Sequence, residues 1–199
     1  MTGSVAPRSD KELIILGCAL DLLKEGGDAG LTMRKIAERA GMRLSNVQYY
    51  FKSRDDILKA MVTGYFQDCT EEIRRLTQDT SAPSARERAH MLILAGLRHG
   101  DELSDMCRIF RELWAISSRN PTVRDHMMDY YRTFSFLIAE FVLGEAPDAA
   151  IRDKLRSLLL PFFEGYSVTA PSVPLPTEEV AEMLTELAMS IVDEAGKRV

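Results

Sequence analysis

Apolar side chains recur at three- and four-residue steps along nearly the whole chain, and the strict alternation that marks strands is almost absent. This periodicity restricts the chain to an all-α architecture, which Gly and Pro cut into about nine helices. Ser9 and Glu12 have capping-box spacing, and a stripe of Leu13, Leu16, Leu20 and Leu23 follows until Gly26, Gly27 and Gly30 stop the helix. Thr32 caps a short second helix to Ala40 that faces Ile36, Ala37 and Ala40 inward, and Gly41 breaks it. A third short helix spans 45–51. Ser53 caps a long fourth one to about Gln78, with Asp55 and Asp56 near its positive end. Further helices are expected at 84–99, 102–118, 122–143, 149–168 and 177–196. Pro161 falls inside the eighth and should kink it.

A chain of 199 residues can bury a full core. No apolar run reaches the roughly 18–20 residues needed to cross a bilayer, and the first ten residues hold no apolar signal region. The expectation is a cytoplasmic protein with no membrane contact. Cys18, Cys69 and Cys107 are widely spaced and read as buried or half-buried thiols. His90, His99 and His126 form no i, i+4 metal pair, so neither a metal nor a cofactor is expected. No GxSxG, phosphate loop or Cys–His arrangement points to an enzyme.

The net charge is −5, but residues 31–54 carry six basic side chains against one acid, while 61–199 carry fifteen against twenty-two. A basic block on an acidic chain is the footprint of a local DNA contact. Leu31–Phe51 reads as helix, Gly-containing turn and second short helix, the pair that places its second helix in the major groove. Ser45, Asn46 and Gln48 begin that helix. Asn and Gln can pair bidentately with adenine, and Ser suits either base type. Arg43 reaches guanine or phosphate, and Thr32, Arg34, Tyr49, Tyr50, Lys52 and Arg54 suit phosphate. Tyr49 and Tyr50 serve equally well to seal the unit against the fourth helix. Val47, Met42 and Phe51 read as core, Arg39 as a solvated charge, and Glu38 as the partner of a neighbouring base.

The run Leu31-Thr32-Met33-Arg34-Lys35-Ile36-Ala37-Glu38-Arg39-Ala40-Gly41-Met42, with Val47-Gln48-Tyr49-Tyr50-Phe51-Lys52-Ser53-Arg54-Asp55-Asp56-Ile57-Leu58 after it, closely resembles the DNA-binding signature of TetR-family regulators. The match is continuous from Leu13 to Ala60. The resemblance implies a homodimer on a palindromic operator, usually a repressor released by a small molecule. It carries DNA contacts to Thr32, Arg34, Arg43, Leu44, Ser45, Asn46, Gln48, Tyr50 and Arg54. Arg43 stands where Ser is frequent, Ser45 where Gly is, Gln48 where a Tyr usually touches the backbone, and Arg54 where Lys is usual. These departures bear on operator sequence.

The expected division is a helix-turn-helix DNA-binding domain at 9–53 and a ligand-sensing and dimerisation domain at 54–199. The second is rich in aromatic and Met side chains, which suit an apolar or amphipathic effector. Phe110, Trp114, Tyr131, Phe134 and Phe163 are the candidate lining. Ile151, Leu155, Leu158, Leu159 and Phe162, with Val180, Leu184, Leu187 and Ile191, form two stripes read as the homodimer interface, a four-helix bundle between protomers. The fourth helix joins both halves and is expected to transmit the signal. Two readings compete: a DNA-binding regulator controlled by a protein partner without a small-molecule ligand, and an enzyme or carrier that merely keeps the motif.

Overall fold

The computed structural model describes residues 9–78, 84–101, 105–144 and 148–196; at 76–78, 99–101, 105–108 and 194–196 it describes the backbone alone. The described residues contain nine α-helices and no strand: α1 (Asp10–Gly30), α2 (Met33–Arg39), α3 (Leu44–Tyr50), α4 (Arg54–Gln78), α5 (Ala85–Asp101), α6 (Asp105–Ser117), α7 (Pro121–Leu143), α8 (Ala149–Thr169) and α9 (Thr177–Gly196). The expected breaks at 80–83 and 145–147 lie outside the described residues, as do the side chains of His99, Met106 and Cys107, whereas the break expected at 100–101 is not found there, since α5 runs to Asp101.

Helix starts follow the local chemistry. Ser9 and Glu12 close a full capping box on α1. Ser53 and Asp56 bond each other's backbone N–H at 3.2 and 3.0 Å, and Ser84 and Glu87 do so at 3.3 and 2.7 Å. Asn120 caps α7 by accepting from the Val123 N–H at 3.2 Å, with Pro121 in the first helical position. The α1 stripe is turned from the expected register. Ile15, Leu16, Ala19, Leu22 and Leu23 are buried, and Leu13 is exposed. A 3.6-residue repeat seats the Ile15–Leu16 and Leu22–Leu23 doublets inward together, which carries Leu13 to the open side. The glycines bend α1 rather than end it: Gly27 has φ +56°, and helical structure resumes to Gly30. α8 runs continuously through Pro161.

Two compact units result. The first comprises Met1–Tyr65 and Arg108–Met127, the second Phe66–Cys107 and Met128–Val199. In the first, α1 packs on α2 and α2 on α3. The segment 108–127 joins them through Asn120 Nδ2, which donates to Asp55 Oδ1 at 2.8 Å, and through the His126 Nε2–Thr63 Oγ1 contact at 3.1 Å. In the second, α5 packs on α8 and α9, around a core of Leu92, Ile93, Leu97, Ile138, Val142, Leu155, Leu159 and Leu184. Arg88 closes the end of α7 by donating to the Phe141 and Val142 carbonyls at 2.9–3.1 Å.

This packing corrects the expected interface. Leu155, Leu159, Val180 and Leu184 lie in the protomer's own core and cannot face a second copy. α9 is apolar around more than half its circumference. Its inner face (Val180, Ala181, Leu184, Ala188) is taken by α5 and α8, while Leu187 and Met183 point outward, 50% and 62% exposed. Ile151, Leu158, Phe162 and Ile191 are half-buried. Among the described residues no helix is long and apolar enough to cross a membrane.

Candidate nucleic-acid interface and sensor cluster

The turn between α2 and α3 is closed by backbone geometry. Gly41, at φ +62°, takes the left-handed position, its N–H donating to the Glu38 carbonyl at 3.1 Å and that of Met42 to the Ala37 carbonyl at 2.9 Å. These two bonds make a Schellman ending, which a residue with a β-carbon would strain at Gly41. Thr32 caps α2 through the Lys35 N–H at 3.3 Å. Val47 and Phe51 are buried and anchor α3 on one side, leaving Ser45, Asn46 and Gln48 exposed on the other, with Leu44 half-buried. Thr32, Arg34, Arg43 and Lys52 are also exposed. One small unit thus brings together the expected base-reading side chains and a set of cations.

Tyr49 is 73% exposed, which decides against its sealing the unit. Its ring meets that of half-buried Tyr50 edge-on at 5.1 Å, and Lys52 Nζ lies 5.7 Å from the Tyr49 ring centre. Arg39 is not merely a solvated charge. It grips Glu25 with both guanidinium nitrogens at 2.6 and 2.8 Å, tying α2 to α1 and holding the Glu25 carboxyl below its ordinary range. Among the described residues it is Glu25 of α1, rather than Glu38, that pairs with a base of α2.

Arg54, expected to meet phosphate, makes contacts within the unit itself. Its Nε donates to the Leu31 carbonyl at 2.9 Å, and its Nη2 bonds the Asp28 carboxylate and the Asp28 carbonyl. The guanidinium therefore ties the start of α4 to the end of α1. Arg119, from the α6–α7 turn, reaches the other Asp28 oxygen at 3.6 Å, and the Glu112 carboxylate lies against Gly27, 3.2 Å from where a β-carbon would stand. Sequence periodicity could not show that α6 and α7 contribute to this unit, because the link is made by single polar side chains far apart in the chain.

The five expected lining residues divide between the units. In the first, Phe110 is buried and stacks on Tyr65 at 4.0 Å, and Trp114 is 50% exposed. In the second, Phe66 stacks on Tyr130 at 5.3 Å and meets Tyr131 and Phe134 edge-on at 5.3 and 5.6 Å, while Phe163 packs against Gly96. Glu164, which the sequence reading passed over as one of many acids on polar helix faces, hydrogen-bonds Tyr131, and burial pushes its carboxyl up to about 7. A groove of about 480 Å³ elsewhere in the second unit is lined by Arg98, Tyr166, Val173, Leu175, Thr177 and Glu178. It is open to solvent, none of the expected residues lines it, and Arg98 and Glu178 pair with each other there at 3.0 Å. Cys18 and Cys69 are half-buried and unbridged, and among the described residues no metal-binding cluster occurs.

Comparison with known proteins bears on both halves. Residues 15–61 match the family model for bacterial regulatory proteins of the tetR family. Over 175 residues the chain is 42% identical to an uncharacterised HTH-type transcriptional regulator in the dhlA 5′ region of Xanthobacter autotrophicus, covering 88% of this chain and 87% of that one. Among solved structures it resembles the transcriptional regulator FadR of Bacillus subtilis in complex with stearoyl-CoA, with TM-score 0.63 and 16% identity over 88% of this chain and 96% of that one. It also resembles a transcriptional regulator of Saccharomonospora viridis in complex with choline, with TM-score 0.62 and 16% identity over 94% and 97%. At these identities the two structures attest the fold alone.

Two substitutions test this geometry. Arg54→Ala should weaken binding to every duplex while leaving the slope of log affinity against log salt unchanged, since its charge is engaged by Asp28. A slope shallower by about 1 would return Arg54 to the phosphate-contacting set. Glu164 is protonated more readily in the folded than in the unfolded chain, so it costs stability as pH rises from about 4.5 through about 7. Glu164→Gln should therefore equal wild type near pH 4 and exceed it by roughly 2–3 kcal/mol at pH 8 in urea denaturation. Parallel stability–pH curves for the two proteins would place the carboxyl in water.

Proposed function

The chain belongs to the TetR family of helix-turn-helix transcriptional regulators, and on that premise we propose that it is a cytoplasmic homodimeric repressor, released from a palindromic operator by a small apolar or amphipathic ligand. The observation that carries the DNA-binding part is the exposed polar start of α3. Ser45, Asn46 and Gln48 stand clear of the core beside Arg43, Arg34 and Lys52, on a helix anchored by Val47 and Phe51. In this reading Gln48 and Asn46 contact bases. Thr32, Arg34, Tyr49, Tyr50 and Lys52 contact the backbone, and Leu44 packs against the sugar–phosphate wall. Arg54 positions the unit through Asp28.

Dimerisation through α8 and α9 uses their outward residues, Met183 and Leu187 with Leu158 and Phe162. A two-fold axis there sets two recognition helices on successive major-groove faces, about 34–36 Å apart or a multiple of it.

Ligand control is supported by the aromatic cluster of the second unit, and by the stearoyl-CoA and choline bound to the two structural relatives. Two helices are suited to carry the signal. α4 bears Asp55 and Thr63 in the first unit and Phe66 in the second; α7 bears Asn120 and His126 in the first and Tyr130, Tyr131 and Phe134 in the second. The pairs Asp55–Asn120 and Thr63–His126 couple the two helices at one end, and the Phe66 cluster couples them at the other. A ligand that binds the two arrangements of this helix pair unequally shifts the spacing of the recognition helices.

Selection from a random duplex pool tests the proposal. Wild type should enrich an inverted repeat with half-sites one helical turn or a multiple apart. Gln48→Ala should relax preference at one base pair per half-site, costing about 1–3 kcal/mol if the contact is bidentate. Enrichment of a single unrepeated site would contradict the dimer geometry, and an unaltered motif would move Gln48 to the backbone contacts.

A further inference from the structure

The other helices that begin in the first unit open on a side chain that accepts a backbone N–H: Ser9 for α1, Thr32 for α2, Ser53 for α4 and Asn120 for α7. α3 does not. Its N-cap is Arg43, a side chain with donors and no acceptor, and it makes no capping bond. The helix that carries Ser45, Asn46 and Gln48 therefore lacks the stabilisation that a Ser or Thr would supply at that position.

The backbone at Arg43 is fixed all the same. On one side, left-handed Gly41 and the bond from the Met42 N–H to the Ala37 carbonyl close α2. On the other, the Arg43 carbonyl accepts from the N–H groups of Asn46 and Val47 at 2.9 and 3.3 Å, and Val47 is fully buried. The Arg43 side chain itself is exposed. A guanidinium is thus mounted on a rigid point at the same end of α3 as Ser45 and Asn46.

The other cations of the helix-turn-helix are engaged or differently placed. Arg39 is held by Glu25, and Arg54 by Asp28. Arg34 lies in the first turn of α2, and in a helix-turn-helix the first helix of the pair crosses the sugar–phosphate backbone. Lys52 lies past the far end of α3 and donates to the Tyr49 carbonyl at 3.4 Å. Among the described residues no acid pairs with Arg43.

In the major groove guanine presents two neighbouring acceptors, O6 and N7, a pattern that no other base shows. The planar fork of a guanidinium matches both at once. Residues at the N-terminal end of a recognition helix lie nearest the base edges. We infer that Arg43 is a specificity-determining residue, which reads one guanine in each half-site through a bidentate pair to O6 and N7. This rests on the reading of α3 as the recognition helix and adds one base to what that helix selects. It also accounts for the missing cap, since a Ser at position 43 would secure α3 and remove the fork. Contact with phosphate, which carries no sequence information, is left to Arg34 and Lys52.

The test is selection from a random duplex pool with the full-length protein and with Arg43→Ser, which restores a capping side chain. Wild type should enrich a half-site with a guanine at one position that Arg43→Ser leaves unconstrained. That guanine should raise wild-type affinity by about 5- to 150-fold over the other bases. Arg43→Ser should melt no lower than wild type, so that the lost preference is not a lost fold. A second measurement needs no variant fold. Replacing the guanine by 7-deazaguanine keeps its pairing edge and removes the N7 acceptor. It should weaken wild-type binding by about tenfold and leave Arg43→Ser within about twofold. The same motif from both proteins would overturn the inference, as would wild-type binding indifferent to 7-deazaguanine at every guanine of the half-site. So would equal weakening of all duplexes by Arg43→Ser with a shallower salt slope, which is the signature of a phosphate contact. No enriched motif from the wild type would overturn the recognition-helix reading and the inference with it.

Discussion

The Asp28 carboxylate is the point on which the DNA-reading unit depends. It follows the Gly27 bend in α1, takes the Arg54 guanidinium from the start of α4, and receives Arg119 from the α6–α7 turn at 3.6 Å. Arg54 also satisfies the Leu31 carbonyl at the end of α1. Three segments distant in sequence thus meet at one side chain, and α2 and α3 are the only helices between the two ends it clamps. Half-exposed ion pairs contribute little to stability on their own. A forked guanidinium shared between a carboxylate and a carbonyl contributes direction, and direction is what a recognition helix requires. Arg39 and Glu25 add a second fork between α1 and α2.

From this clamp the two long helices acquire their role. α4 and α7 are joined in the first unit by polar contacts, Asp55–Asn120 and Thr63–His126, and in the second by rings, Phe66 against Tyr130, Tyr131 and Phe134. Hydrogen bonds tolerate little displacement before they are lost, whereas aromatic packing can rearrange around an inserted molecule. In the proposed reading the polar end holds geometry and the aromatic end senses the ligand. Asn120 illustrates the economy of the arrangement, since its carbonyl caps α7 while its amide binds α4.

The DNA-reading part was largely legible in the sequence, because each of its signals is local. Capping boxes at Ser9 and Ser53, the Thr32 cap and the left-handed Gly41 are set by residues three or four apart. What escaped depends on partners far along the chain. Arg54 looks like a free cation until α1 folds back to present Asp28. The α9 stripe looks like one interface until α5 covers its Val180–Leu184 side and leaves Leu187 outside. Glu164 reads as one more solvent-facing acid, because burial of a carboxyl is decided by which helix crosses it. Periodicity names the apolar face of a helix, and says nothing of how many partners divide that face.

The most direct measurement is fluorescence anisotropy of the full-length protein at fixed salt on the duplex immediately upstream of its own gene, against a scrambled duplex of equal length. A preference for the upstream sequence by a factor of roughly 10³ or more is the expected result, because in the proposed reading the exposed Gln48, Asn46 and Ser45 meet base edges rather than phosphate alone. Equal and weak binding to both duplexes, repeated across a genomic library, would contradict it and reduce the basic face to non-specific attraction.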